Sequence, residues 1–330
     1  MDSSKYSPFT VLETTYKVVD NRHNISVYTL IPKTLQPPSS SPRPVIVKFH
    51  GGFLITGTAL YPDWFPQWLI EYALRHSVVM VLPNYRLAPE ARGMEIMEDM
   101  HDFWRWLKSD FQAHLDVAAP GTNVDLQRVL CTGESAGGYL SIQSALGSAT
   151  DGGILLRAAI ATYPALDLKS RFYTEEYSKV VLGAPTVPKT VMADHLRALD
   201  EDAKTGNRRI VTSATPPERL PLSLSMVQQG LMTKLLGDER VLFPFERVED
   251  VNPDVVPPIL IIHGQHDSAV PVEGSEKWVE KAKEKLGDDK VVLVVQPGEH
   301  GFDTNEDVTL ETPWLKDSLA PITATWLGRK

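Results

Sequence analysis

The sequence predicts an α/β fold, a mostly parallel central sheet flanked by helices, and three observations predict it. Short runs of β-branched residues alternate with longer helical patterns, the rhythm of strands joined by crossover helices. The runs are almost continuously apolar instead of alternating, which suits strands covered on both faces. One stretch, about 168–252, lacks such runs and reads as a mostly helical subdomain inserted into a single domain spanning 1–330.

Taken in order, "TTYKVVDNRHNISVYTLIPK" (14–33) reads as two antiparallel strands at the sheet edge, and "QPPSSSPRP" (36–44) as a loop. "PVIVKFH" (44–50) and "SVVMVLP" (77–83) are the first long strands. In "MEIMEDMHDFWRWLKSD", Met97, Met100, Trp104 and Leu107 recur at spacings of three and four, one face of an amphipathic helix. "RVLCTG" (128–133) is a strand, and "SAGGYLSIQSAL" is a helix opening at Ser135. "RAAIATYP" (157–164) precedes the insertion, whose "PKTVMADHLRALDEDAKTG" and "LSLSMVQQGLMTKLLG" are helical. The second places Leu224, Val227, Leu231 and Leu235 on one stripe, read chiefly as core contacts, with a smaller share lining an apolar pocket near Met226 and Met232. "PILIIHG" (258–264), the charged helix "EGSEKWVEKAKEKLG" and "KVVLVVQ" (290–296) complete the pattern.

Composition narrows the function classes. With 42 acidic against 33 basic residues the net charge is −9, which argues against nucleic acid or an anionic membrane as partner. The N-terminus shows no basic segment followed by an apolar one, and no apolar run approaches the roughly 18 residues that span a bilayer. Cys131 is the only cysteine, which excludes an internal disulfide and suits a reducing compartment. A cytoplasmic protein without a transmembrane segment is expected; oligomeric state is not readable.

Against this frame "CTGESAGGYL" stands out, because Gly133, Gly137 and Gly138 surround Ser135. The pattern G-x-S-x-G alone arises by chance on the order of one time in ten in a chain this long. Here it follows a strand and opens a helix, the setting of a nucleophile elbow. A sharp turn that exposes the hydroxyl leaves no room for side chains on either side, and the helix start offers free N–H groups beside a developing oxyanion.

A serine needs a base, and the base needs an orienting acid. His300, in the loop after the last strand, and Asp267, in the loop after the strand before it, both lie at strand carboxyl ends in the chain order Ser, Asp, His. Glu299 and Asp303 flank His300 but would have to fold back on its ring, so Asp267 is favoured. Of the nine histidines, His23, His76, His101, His114, His195 and His263 read as structural. His263 and His266 beside Asp267 lack the further ligands a metal needs, so no metal is expected. "FHGGFLITG" (49–57) supplies an oxyanion loop, in which Gly51 and Gly52 permit close backbone approach; the N–H of Ala136 adds a donor.

The segments "HGGF", "YRLAPE" (85–90), "GESAGG" (133–138), "HD" (266–267) and "EHGF" (299–302) together resemble the hormone-sensitive-lipase branch of the α/β-hydrolases, from about residue 14 to the end. The resemblance implies an α/β-hydrolase fold, carboxylic-ester hydrolysis by Ser135, His300 and Asp267, a cap over the site, and no cofactor. It also implies that Gly52 and Phe53 donate to the oxyanion. Phe53 stands where the family has glycine, which keeps the N–H and adds a ring expected to narrow the site. The N-terminal part of the cap looks reduced.

The expected activity is therefore hydrolysis of small to medium esters with apolar acyl groups, through an acyl-Ser135 intermediate. The same machinery would serve a thioesterase, an acyltransferase or a lactone-forming enzyme, with the substrate free or delivered by a carrier. A non-catalytic ligand-binding protein is a third reading, disfavoured because base and acid are both present.

Overall fold

The apolar runs pair, among the described residues, into one eight-stranded sheet. A computed structural model describes residues 4–34, 41–148 and 153–328; most of the Pro/Ser loop read at 36–44 lies outside them. Strands β1 (Phe9–Val19) and β2 (His23–Pro32) form an antiparallel hairpin whose register shifts between Thr15 and Lys17. The remaining strands are β3 (Arg43–Phe49), β4 (Val79–Pro83), β5 (Val124–Glu134), β6 (Ala158–Thr162), β7 (Ile259–Gly264) and β8 (Val291–Gln296). Their spatial order is β1-β2-β4-β3-β5-β6-β7-β8, antiparallel from β1 to β4 and parallel thereafter.

Because successive strand residues point to opposite faces, continuous apolar runs feed two cores at once. Ile46, Met80 and Leu82 pack against α1 (Gln67–Arg75) and, near the C-terminus, α11 (Pro313–Leu327), whose Trp326 is wholly buried. Val45, Val47, Val79 and Val81 face α2 (Gly93–Ser109), α3 (Phe111–Ala118) and α4 (Ala136–Leu146). Ile259 and Ile261 face α4 and, further along the chain, α10 (Val272–Leu286). Each large apolar side chain so buried contributes roughly 1.5–3 kcal/mol. β8 departs from the expectation of two covered faces. It lies at the sheet edge, and Val292 and Val295 are exposed.

"YRLAPE" links sheet to helix. The buried Arg86 guanidinium grips Asp99 of α2 at 2.7–3.0 Å and also reaches Glu95 and Glu98. Between β6 and β7 lie α5 (Arg171–Thr174), α6 (Thr190–Lys204), α7 (Leu220–Gln228), α8 (Met232–Leu236) and α9 (Pro244–Asp250), with only isolated β-bridges. The single apolar stripe expected here does not form. Gly230, at φ +65° with Glu175 backbone where a Cβ would go, ends α7, so Leu224 and Val227 sit on α7, Leu231 in the break and Leu235 on α8. Among the described residues no helix is long and apolar enough to cross a membrane. Cys131 is buried in β5, and burial pushes its thiol up to about 12.

Candidate active site

Ser135 follows β5 directly, at φ 57° and ψ −117°, and caps the N-terminus of α4. A non-glycine residue in that region is strained. Its neighbours explain how the turn is held: a Cβ on Gly133 would lie 2.3 Å from Gly137 O, and one on Gly137 would lie 2.1 Å from Phe49 O. The Ser135 N–H donates to Thr162 O at 2.9 Å, tying the turn to β6. The Ala136 N–H opens α4 and so has no intrahelical acceptor.

Packed against this turn is the loop after β3. Gly52 sits at φ +107°, and a Cβ there would meet Thr56 O at 2.1 Å. Its carbonyl accepts the N–H groups of Ile55 and Thr56, while its own N–H and that of Phe53 donate to no described acceptor. Gly51 differs from its neighbour. Its N–H donates to Glu134 Oε1 at 3.0 Å, so it shapes the loop and is not free to serve as an oxyanion donor. Glu134 Oε2 in turn lies 2.7 Å from Lys48 Nζ, and both side chains are buried. Burial pushes the Glu134 carboxyl up, against the pull of Lys48. His50 stacks on Tyr85 at 4.3 Å, Tyr85 OH donates to His50 O, and burial lowers the imidazole to about 3, so it stays neutral. Phe53, at φ 57°, is buried on the cavity wall.

Asp267 and His300 meet from adjacent strand ends. Asp267 Oδ2 lies 2.7 Å from His300 Nδ1, while Oδ1 accepts the N–H groups of Ala269 and Val270 at 2.9 and 2.7 Å. Burial alone would raise this carboxyl, but His300, His263 and the Val270 N–H hold it well below the usual range. His263 bonds Ser275 and Val270 O, and no group of three or more potential ligands forms among the described residues. Glu299 accepts from the N–H groups of Ser268 and His300. Asp303 is buried and bonded to Trp68 and Tyr163.

Ser135, His300, Gly52 and Phe53 line one cavity of about 360 Å³, whose wall also includes Tyr61, Trp64, Leu182 and Leu220. The two side chains face the same space, although no hydrogen bond joins Ser135 Oγ to His300 in this state; such contacts often tighten only with substrate bound. The expected stripe contributes nothing to the wall, since Leu220, which precedes it, takes that place. The Lys48–Glu134 pair escaped sequence reading, though one signal existed: a single lysine inside the apolar run "PVIVKFH" needs a buried partner.

Residues 46–229 match a family model described as alpha/beta hydrolase fold, and residues 237–320 match one described as prolyl oligopeptidase family. A probable carboxylesterase M8 of a Phoma species is 28% identical over 330 residues, covering 98% of both chains. A probable carboxylesterase clz11 of Cochliobolus lunatus is 29% identical over 62% of this chain and 92% of its own. The non-reducing polyketide synthase pkbA of Emericella nidulans is 26% identical over 82% of this chain, but only 12% of that much longer protein is covered. Among solved structures, propionate-bound esterase 2 of Thermogutta terrifontis superposes with a TM-score of 0.60 at 21% identity, covering 98% of this chain and 96% of that one, a likeness of fold.

Proposed function

The chain belongs to the α/β-hydrolase fold family, and from that premise we propose that it hydrolyses carboxylic esters through an acyl-Ser135 intermediate. The observation that carries this reading is the convergence of a strained serine, a carboxylate-bound histidine and a glycine loop with free N–H groups on one cavity. His300 Nε2 takes the Ser135 proton as Oγ adds to the ester carbonyl. Asp267 fixes the ring through Nδ1 and stabilises the imidazolium that forms. The N–H groups of Gly52, Phe53 and Ala136 hold the oxyanion. Collapse expels the alcohol, which leaves with the proton from His300. Water then repeats the sequence, releasing the free acid and Ser135. The α5–α9 stretch acts as a cap, giving Leu182 and Leu220 to the wall beside an apolar, small to medium acyl group. No cofactor enters these steps, and the lone buried Cys131 suits a cytoplasmic setting.

The test is covalent labelling with a fluorophosphonate probe beside hydrolysis of p-nitrophenyl esters. Wild type is expected to label and to release nitrophenol, and Ser135→Ala to do neither; an unlabelled wild type would overturn the reading. The match to polyketide synthases gives a second reading some footing, in which the acyl group arrives as a thioester, on a carrier or free. Comparing kcat/KM on an ester and on the thioester of the same acyl group separates the two, and adding a competing alcohol identifies the acceptor: free acid marks hydrolysis, a new ester marks acyl transfer.

A further inference from the structure

The mechanism leaves one buried carboxylate unemployed. Asp303 is 1% exposed, and no ion-pair partner reaches it among the described residues. Its two oxygens are divided between two donors: Tyr163 OH at 2.7 Å on Oδ1 and Trp68 Nε1 at 3.0 Å on Oδ2. A charge held in an apolar interior by neutral donors alone is costly, and an apolar residue of the same size would usually stabilise the fold as well or better. Burial accordingly raises the Asp303 carboxyl above its usual range. The arrangement calls for a reason beyond packing.

Tyr163 supplies it. It is the first residue after β6, its backbone is at φ 38°, and its N–H donates to Ile262 O at 2.6 Å. For a bulky side chain that conformation is strained, and strain of this kind persists only where its surroundings over-determine it. The phenol ring lies against the imidazole of His300, centroid to centroid 4.5 Å with 57° between planes, and it lines the cavity. His300 and Asp303 sit on one short loop, so the chain returns three residues after the histidine to hold the ring on which that histidine rests.

We infer that Asp303 is a positioning residue for His300, acting through Tyr163: it fixes the phenol ring as a wall that keeps the imidazole turned toward Ser135. Asp267 holds His300 at one nitrogen, and one bond leaves the ring free to swing about it. The Tyr163 face removes that freedom. This inference rests on the proposed esterase chemistry but concerns a residue outside the triad.

The experiment is steady-state kinetics on p-nitrophenyl butyrate with Tyr163→Phe, Asp303→Asn, the double variant and Trp68→Phe, each measured well below its Tm. Tyr163→Phe keeps the ring and deletes the hydroxyl. Its kcat is expected to fall about tenfold with KM within about twofold, a fraction of the roughly 100-fold that a misplacement of an ångström costs. Asp303→Asn should fall similarly, and the double variant no further than the lower single, because both act along one path. Trp68→Phe, which leaves the Tyr163 bond intact, should change kcat by less than about twofold. Unchanged kcat in Tyr163→Phe, a loss confined to KM, or multiplicative losses in the double variant would each overturn the inference. A wild type that hydrolyses no ester would instead remove the reading beneath it, and with it this role.

Discussion

At the carboxyl ends of β3, β5, β7 and β8, short loops carry the candidate site on backbone geometry: tight glycines, turns closed by main-chain bonds, and side chains set one to four residues beyond the strand ends. The α5–α9 stretch is held differently. Arg219, just before α7, reaches Glu90 with two nitrogens and adds bonds to Ile55 O at 2.7 Å and Ala88 O at 2.9 Å. Lys179 caps the carbonyls of Phe172, Glu175 and Val227, and Arg247 bonds Gln143 of α4. Paired main-chain bonds between Gly57 and Ala214 join the two regions. The carboxyl end of the sheet is therefore held mainly by tight turns, main-chain bonds and short buried side-chain contacts. The helical stretch is held largely by long basic side chains, of which Arg219 and Arg247 reach residues far along the chain, so the first should fail chiefly in chemistry and the second in stability.

The largest effect should come from the sheet edge. Asp267→Asn keeps an Oδ1 acceptor for the Ala269 and Val270 N–H groups, yet removes the negative charge facing His300 and the fixed orientation of its ring. The expected result is a kcat lower by roughly 10,000-fold, as losing a triad acid costs in this chemistry, with a smaller accompanying fall in Tm because the lowered carboxyl adds stability at neutral pH. Calorimetry beside esterase kinetics checks both halves. A loss below tenfold would mean that His300 is held by something other than this carboxylate.

Arg219→Met inverts the pattern. It deletes every bond that Arg219 makes to Glu90, Ile55 and Ala88 and leaves Glu90, 1% exposed at its side chain, short of its cation. Breaking one side of a buried pair costs about 3–5 kcal/mol, read from urea unfolding, with a far smaller change in kcat than Asp267→Asn. A loss under about 1 kcal/mol, the figure for a surface pair, would show that the helical stretch is packed and not pinned.

The same division governs what the sequence disclosed. The glycines around Ser135, the strand before it and the helix after it are neighbours in the chain, so the turn was legible, as was the placing of Asp267 and His300 after β7 and β8. The six later strand runs were legible because each is a nearly continuous apolar segment with its signal inside it; of the edge hairpin, β1 begins at Phe9, five residues before the stretch read from 14. β8 misled, since an apolar run does not say how many neighbours it will have. The stripe from Leu224 to Leu235 misled because helical spacing was read across Gly230, although glycine inside a helical pattern is itself a warning. Tyr163 with Asp303, 140 residues apart, and Lys48 with Glu134 were invisible as pairs. Nothing local records which distant side chain will share a buried bond.

The smallest effect sharpens the comparison through pH. Burial would raise Glu90, but His195 at 2.9 Å and Arg219 hold it down at about 2, from the usual 4.5. A carboxyl lowered on folding adds stability that is fully present above its unfolded value and is lost as pH falls through the folded one. Glu90→Gln keeps an acceptor for Arg219 and removes only the charge, so its cost should be a fraction of that of Arg219→Met. The gap in Tm between wild type and Glu90→Gln should be constant from neutral pH to about 4.5, then close steadily as the pH approaches 2. Thermal unfolding across that range decides it: a gap that stays open at low pH would assign the Glu90 contribution to hydrogen bonding and shape, and would leave the helical stretch pinned by geometry and not by charge.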